Sequence, residues 1–313
     1  MIKNKAFSAA AIFMSCAVIV GGTAARANVT TAPPEADVIL NTAKTVASDI
    51  PITVGMAGES RIRDNRRSIG VYIDGAKYSG NAFLYKDTTY VGFRAFSVAL
   101  ADAEVSWNPT TETATAKING NTVNATKGGE YVTANGRYFW ARTGIIIDSG
   151  TMYVPIRALC SAFGATLTWD GGTYTVSVKR GSGKVQTGSA YYDSDEVYWL
   201  SKIIHAESRG ESLTGKIAVG NVVLNRVKSK DYPNTIYGVI FDKKYGVQFS
   251  PVADGSIHLE PDADSVIAAK LCLEGYTVSD KILFFINTGI ATNAWVTTAR
   301  PHEVTIGNHD FYA

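Results

Sequence analysis

The 313-residue chain is 46% hydrophobic and 19% charged with a formal net charge of +2, a balance that supports packed cores and excludes a disordered or collagen-like polymer. Its length allows two domains, each with its own core. Charge is unevenly spread: residues 61–184 hold 15 Lys/Arg against 9 Asp/Glu, and residues 191–313 hold 11 against 15, so a polyanionic partner suits the first half only.

Lys3 and Lys5 precede an apolar run from Ala9 to Val20, and Ala25-Arg26-Ala27 supplies an A-x-A cleavage site. Residues 1–27 read as a secretory signal peptide, too short for a permanent membrane span, with an uncleaved anchor as the competing reading. Export makes nucleic acid an unsuitable polyanion. Residues 28–60, with Pro33-Pro34 and few aromatics, read as a leader of weak order. The two cysteines beyond the signal, Cys160 and Cys272, are too few and too far apart for a disulfide framework, and both read as buried small hydrophobes.

Residues 61–180 contain an internal repeat. Tyr90-Val91-Gly92-Phe93-Arg94-Ala95-Phe96 recurs as Tyr153-Val154-Pro155-Ile156-Arg157-Ala158-Leu159, and Trp107 recurs as Trp169. Each copy predicts an extended Tyr-Val step, a short helix (94–100 and 157–163), a segment ending in Trp, and an alternating strand (113–118 and 173–178). Two such β-α-β-β units predict a small pseudo-symmetric α+β domain. The V-P-x-R-A step followed by Gly164-Ala165 and Trp169 resembles the copper amine oxidase N-terminal-like, or stalk, domain, with Gly92 replacing proline in the first copy. The family name does not imply copper here, because no His lies between residues 28 and 204. A spacer or wall-adhesion role is the expectation.

Gly181-Ser182-Gly183 to Gly188-Ser189 reads as a flexible linker over residues 181–192. In residues 193–313, Asp193, Ser194 and Asp195 offer N-caps for a helix. Val197, Leu200, Ile204 and Glu207 then fall on one stripe, which directs a carboxylate toward the core. Such a carboxyl has its charged form disfavoured, as a general acid near neutral pH requires. The structural alternative is a Glu neutralised by Arg209, Arg226 or Arg300. Residues 217–227 are apolar nearly all round, as in a central buried helix; Asn225 and Arg226, near its end, can cap carbonyls or reach a cleft. A third helix is predicted over 262–273 with Gly275 as its stop, a strand over 281–287, and a hairpin over 302–312 turning at Gly307-Asn308.

The segments Ala206-Glu207-Ser208-Arg209-Gly210-Glu211, Gly215 to Val219, Val223 to Val227, Tyr232 to Thr235, Gly238 to Phe241, Gln248 to Pro251, Phe285 to Asn287, Ala291-Thr292 with Trp295, Arg300-Pro301 and Ile306 to His309 run in order along the domain. Together they resemble the spore cortex-lytic, SleB-type family of cell wall hydrolases. The resemblance implies a lysozyme-like, α-rich catalytic domain within an α+β chain, peptidoglycan as substrate, and Glu207 as the catalytic acid. It also implies a secreted, wall-associated or spore-envelope location and, with no cofactor, cleavage between N-acetylmuramic acid and N-acetylglucosamine. Glu211, Asn225, Gln248, Phe249, Asn287 and Arg300 are the expected substrate-binding residues. Amides would meet sugar hydroxyls and N-acetyl groups, Phe249 would stack on a ring, and Arg300 would meet a lactyl or peptide carboxylate.

A hydrolase needs a second carboxylate at a set distance, and neither Glu211, which follows the helix-breaking Gly210, nor Asp254 has a spacing that supplies it. A lytic transglycosylase works with one Glu and is the expected activity. The alternatives are a zinc amidase using His205, His258, His302 or His309, and a wall-binding protein without activity. Anionic wall polymers are the expected partner of the basic stalk domain.

Overall fold

The computed structural model describes residues 66–244, 246–289, 291 and 295–313. The expected signal peptide (1–27) and leader (28–60), residues 61–65 of the expected stalk region and Thr292 lie outside the described residues. No helix among the described residues is long and apolar enough to cross a membrane. The described chain divides into two compact units after Asp193.

The first unit is mostly strand. It runs β1 (Arg67–Ser68), β2 (Gly70–Ile73), β3 (Ala76–Lys77), β4 (Ala82–Tyr85), β5 (Thr88–Gly92), α1 (Phe93–Ala101), β6 (Glu104–Asn108) and β7 (Thr113–Ile118). It continues through β8 (Asn121–Thr126), β9 (Tyr131–Ala134), β10 (Arg137–Trp140), β11 (Ile146–Asp148), β12 (Thr151–Pro155), α2 (Ile156–Ala162), β13 (Thr166–Asp170), β14 (Thr175–Lys179) and the single-turn α3 (Gly188–Tyr191). Three sheets result, ordered β1-β4-β5-β12-β11, β10-β9-β8-β7-β6 and β13-β14-β2-β3.

The repeat is visible in the pairing. β5 and β12 run antiparallel with Val91 opposite Val154, the same position of each copy, so a local two-fold passes between them. α1 and α2 follow where the sequence places them. The copies then diverge: β7 extends into the meander β8-β9-β10, whereas β14 pairs in parallel with β2. The Asn119-Gly120 and Asn135-Gly136 turns have both residues at positive φ, the two-residue hairpin geometry that Asn-Gly favours. Cys160 and Cys272 are buried and unpaired, and burial pushes the Cys160 thiol up to about 12.

Residues 181–192 are not a free linker. Gly183 and Val185 carbonyls accept hydrogen bonds from the Asn121 and Asn135 amides, at 3.1 and 3.3 Å. Gly188 N–H donates to the Asn135 carbonyl, the Tyr138 N–H donates to the Tyr192 hydroxyl at 3.2 Å, and the Arg137 guanidinium stacks 3.5 Å from the Tyr191 ring. Gly/Ser content predicts flexibility only where no partner is offered, and here Asn121 and Asn135 offer one.

The second unit holds α4 (Ser194–Ser208), α5 (Leu213–Lys228), α6 (Ile236–Ile240), α7 (Ser250–Asp254), a 3-10 turn (Ser256–His258), α8 (Ala263–Leu273), β15 (Phe284–Ile286), α9 (Trp295–Ala299), β16 (His302–Ile306) and β17 (His309–Tyr312). The last three strands form one sheet with β17 in the middle. Acids Asp195 and Glu196 lie in the first turn of α4, where they complement the helix dipole. Ser212 and Asp262 cap α5 and α8 by accepting the N–H of Gly215 and Ser265, and Gly275 follows α8 at φ +91°.

Leu200, Ile203 and Ile204 of α4, Ile217, Ala218, Val222 and Val223 of α5, and Ala268, Ala269 and Leu271 of α8 are all fully buried. They meet where Gly220 stands. A Cβ there would lie 2.7 Å from Cys272 Sγ and 2.9 Å from Ile204 Cδ1, so the three helices can approach this closely only because Gly220 has no side chain. Replacing it by Val should destabilise the chain by about 2–3 kcal/mol through overpacking, read as a fall in the denaturant midpoint; an unchanged midpoint would contradict this packing.

Candidate active site

Glu207 lies in the last turn of α4, three residues beyond Ile204 and seven beyond Leu200. The helix surface that buries those two against α5 and α8 therefore carries Glu207 inward. The residue is half-buried: it keeps a partial opening to solvent while its carboxyl is packed among protein atoms. That packing pushes its pKa up to about 8, the negative charge of Asp254 adds to the rise, and the positive charge of Arg226 offsets part of it. Ser208, next in the chain, is buried and turns its hydroxyl back to the Ile204 carbonyl at 2.6 Å.

Arg226 is the buried cation of the site, 5% exposed. Its Nε donates to the Leu283 carbonyl at 2.8 Å, and its guanidinium sits 5.1 Å from the rings of Tyr232 and Phe249 and 5.4 Å from that of Phe284. Among the three arginines offered as neutralising partners for Glu207, Arg226 is the one whose charge it feels. An arginine placed after the apolar run Ile217–Leu224 is the signal in the sequence that marks it. Asp254 ends α7, exposed, with its Oδ1 accepting the Ser256 N–H at 2.8 Å. The structure thus brings a second carboxylate within electrostatic reach of Glu207, which the sequence spacing did not supply.

The expected substrate-binding residues divide. Arg300 is exposed, with its guanidinium 4.8 Å from the Phe284 ring, so Phe284 carries both Arg226 and Arg300. Gln248 is half-buried and donates to the Gly246 carbonyl at 3.0 Å. Asn287, at the end of β15, accepts the Gly289 N–H at 3.1 Å.

Asn225 and Phe249 require correction as groove residues. Asn225 is buried and its amide spans the Ser279 and Ile282 carbonyls at 3.0 and 2.9 Å. Phe249 is 2% exposed and faces Arg226, which leaves no ring face for a sugar. Each satisfies the interior: one closes buried carbonyls, the other packs a buried cation.

Glu211 lies outside any helix, in the turn between α4 and α5, and faces the terminal hairpin. Its side chain is 8% exposed and accepts the Asn308 amide at 2.9 Å, with His309 Nδ1 at 3.8 Å. Gly307 makes this possible, since a Cβ there would overlap the Glu211 carboxylate. Removing it should loosen the hairpin: Glu211→Ala is expected to cost about 1–3 kcal/mol and to speed hydrogen exchange at residues 302–312 ahead of the helices.

The four histidines are dispersed. His205 Nδ1 accepts the Asp262 N–H at 3.2 Å, while Asp262 takes the buried Lys216 at 3.0 Å. His258 is exposed, His302 bonds Thr305, and His309 sits by Glu211. Among the described residues no three His, Cys, Asp or Glu converge as metal ligands, so the donors a zinc amidase needs are not together. In the first unit, with no His and its one Cys buried, copper likewise has no donor set.

The raised pKa of Glu207 has a stability consequence. Between its ordinary value of 4.5 and about 8, the folded domain holds a proton that the unfolded chain has released, so stability is full below that window and declines as pH rises through it. Glu207→Gln should therefore gain on the parent in thermal melting as pH rises from 4.5 to 8, and show little advantage below. A constant difference across that range would mean the carboxyl is not perturbed.

Comparison with known proteins agrees with this division. Residues 210–312 match the family described as Cell Wall Hydrolase, starting three residues after Glu207, and residues 72–178 match the family described as Copper amine oxidase N-terminal domain. A spore cortex-lytic enzyme of Bacillus cereus is 37% identical over 120 residues, covering 38% of this chain and 45% of that protein. One from Oceanobacillus iheyensis is 35% identical over 141 residues, covering 45% and 46%. The catalytic domain of the germination-specific lytic transglycosylase SleB from Bacillus anthracis is 35% identical, with 41% of this chain and all of that one covered at a TM-score of 0.36. The chain spans less than half the length of these curated relatives. It is an α+β protein in which a copper amine oxidase N-terminal-like domain precedes a C-terminal domain of the cell wall hydrolase family.

Proposed function

We propose that the C-terminal domain cleaves the glycan of peptidoglycan between N-acetylmuramic acid and N-acetylglucosamine, as a lytic transglycosylase. The observation that carries this reading is Glu207, a half-buried residue whose carboxyl is held protonated near neutral pH by its packing. Protonated Glu207 donates to the glycosidic oxygen as the C1–O bond breaks. The resulting carboxylate then takes the proton of the muramic acid O6 hydroxyl, which bonds to C1 and closes a 1,6-anhydro ring. One carboxyl serves both steps and is restored, and no water is consumed. Arg300 and Phe284, exposed and half-buried beside Arg226, suit a carboxylated sugar passing the site; Gln248 and Asn287 are further candidates for its hydroxyl and N-acetyl groups.

Asp254 favours a second reading, a muramidase in which it activates water or attacks C1. The two readings predict different products and different variants. Glu207→Gln should lower glycan cleavage by about 10²–10⁴-fold, and the parent should release 1,6-anhydromuropeptides. Asp254→Asn should keep that activity and move its alkaline limb to lower pH, because removing a negative charge eases ionisation of Glu207. Reducing-end products, with cleavage lost in Asp254→Asn, would establish the muramidase instead; full cleavage by Glu207→Gln would overturn both.

Free stem peptides lost on chelation would indicate the amidase, and wall binding without any product a purely adhesive protein. The names of the relatives tie them to spore cortex, so we take cortex peptidoglycan as the proposed substrate and a secreted, wall or spore-envelope location as its consequence. Faster digestion of vegetative wall than of cortex would count against this. The stalk domain's basic excess is read as attraction to anionic wall polymers, and it should weaken steeply with salt.

A further inference from the structure

We infer that Trp107 and Trp169 form two related glycan-stacking sites on the stalk domain, which hold the enzyme on the polysaccharide it cleaves. The two indoles are 41% and 43% exposed, large apolar surfaces that a folded domain ordinarily covers. Both lie on the edge strand of a sheet, β6 in one copy and β13 in the other, opposite Ala114 and Val176 respectively.

The tip beside each is built alike. Asn108 Oδ1 accepts the N–H of Thr110 and Thr111 at 2.9 and 3.3 Å, and Asp170 Oδ1 accepts that of Gly172 and Thr173 at 2.8 and 3.4 Å. Glu112 and Tyr174 both take positive φ, 47° and 53°. Divergence elsewhere in the repeat replaced whole strands, yet this tip and its exposed indole recur.

The surroundings select the ligand. Exposed hydrogen-bonding residues flank each indole, Asn108 and Thr110 beside Trp107 and Asp170 and Thr173 beside Trp169; Trp169 also meets the edge of the Tyr174 ring at 5.8 Å, which the Arg67 guanidinium covers at 3.5 Å. A flat apolar ring rimmed by hydrogen-bonding groups matches a pyranose, which has an apolar C–H face and polar hydroxyl edges. Two like sites on one compact unit match a polymer with a repeating unit, since the second contact is then intramolecular. The choice of glycan rests on the reading of the covalently attached C-terminal domain as peptidoglycan-cleaving.

The test uses the full chain carrying Glu207→Gln, so that the polymer survives, and peptidoglycan sacculi stripped of anionic polymers. Trp107→Ser and Trp169→Ser should each weaken co-sedimentation about tenfold and the double variant more. Trp→Tyr at both positions should restore most binding, and parental binding should persist at high salt. Equal sedimentation of double variant and parent, or loss of parental binding at high salt, would overturn the proposal. Should the Ser variants not fold, oxidative footprinting of the parent decides: sacculi should protect both indoles, and unchanged labelling would sink the idea. Failure here leaves the catalytic reading intact, because cleavage by an otherwise native chain and its loss in Glu207→Gln are measured separately.

Discussion

The crossing of α4, α5 and α8 at Gly220 sets the geometry on which the C-terminal domain depends. Ile204 and Cys272 press against a position with no side chain, and the last turn of α4 lies within the electrostatic reach of Arg226, six residues further along α5. The carboxyl of Glu207 is packed among protein atoms while the residue as a whole stays half-buried. A larger residue at the crossing would act on the chemistry without touching substrate, by letting water and distance into the pair.

Around that crossing the domain balances buried charges locally. Arg226 is wrapped by three rings and a carbonyl, Lys202 by the His258 and Leu259 carbonyls and Glu260, and Lys216 by Asp262. Each cation is met by oxygen or π-density, as burial of charge demands. Glu207 differs, because the nearby negative charge of Asp254 opposes what Arg226 would otherwise do. Burial of its carboxyl is the main reason Glu207 keeps its proton, and Asp254 adds to the effect while Arg226 only partly offsets it. That mismatch distinguishes a site from a scaffold.

The helices, the terminal hairpin and Glu207 were legible because each rests on a periodicity or a local signal: the Leu200–Ile204–Glu207 stripe, the cap at Asp262, the turn at Gly307-Asn308. The repeat was legible through its sequence identity. What escaped had long-range causes. The β8-β9-β10 meander was announced only by two Asn-Gly pairs, and the docking of residues 181–192 depends on Asn121 and Asn135, some fifty residues away. Phe249 and Asn225 misled for one reason: composition says which side chain can stack or hydrogen-bond, but only packing says whether the partner is a sugar or the protein's own arginine and carbonyls.

The grip of Glu211 on Asn308 joins two points 97 residues apart, with β17 held in the middle of its sheet. The motif that carries the proposed acid is therefore completed only by residues made much later. A C-terminal domain built this way closes only when positions 211 and 308 meet, so no local stretch of the chain can form that contact by itself.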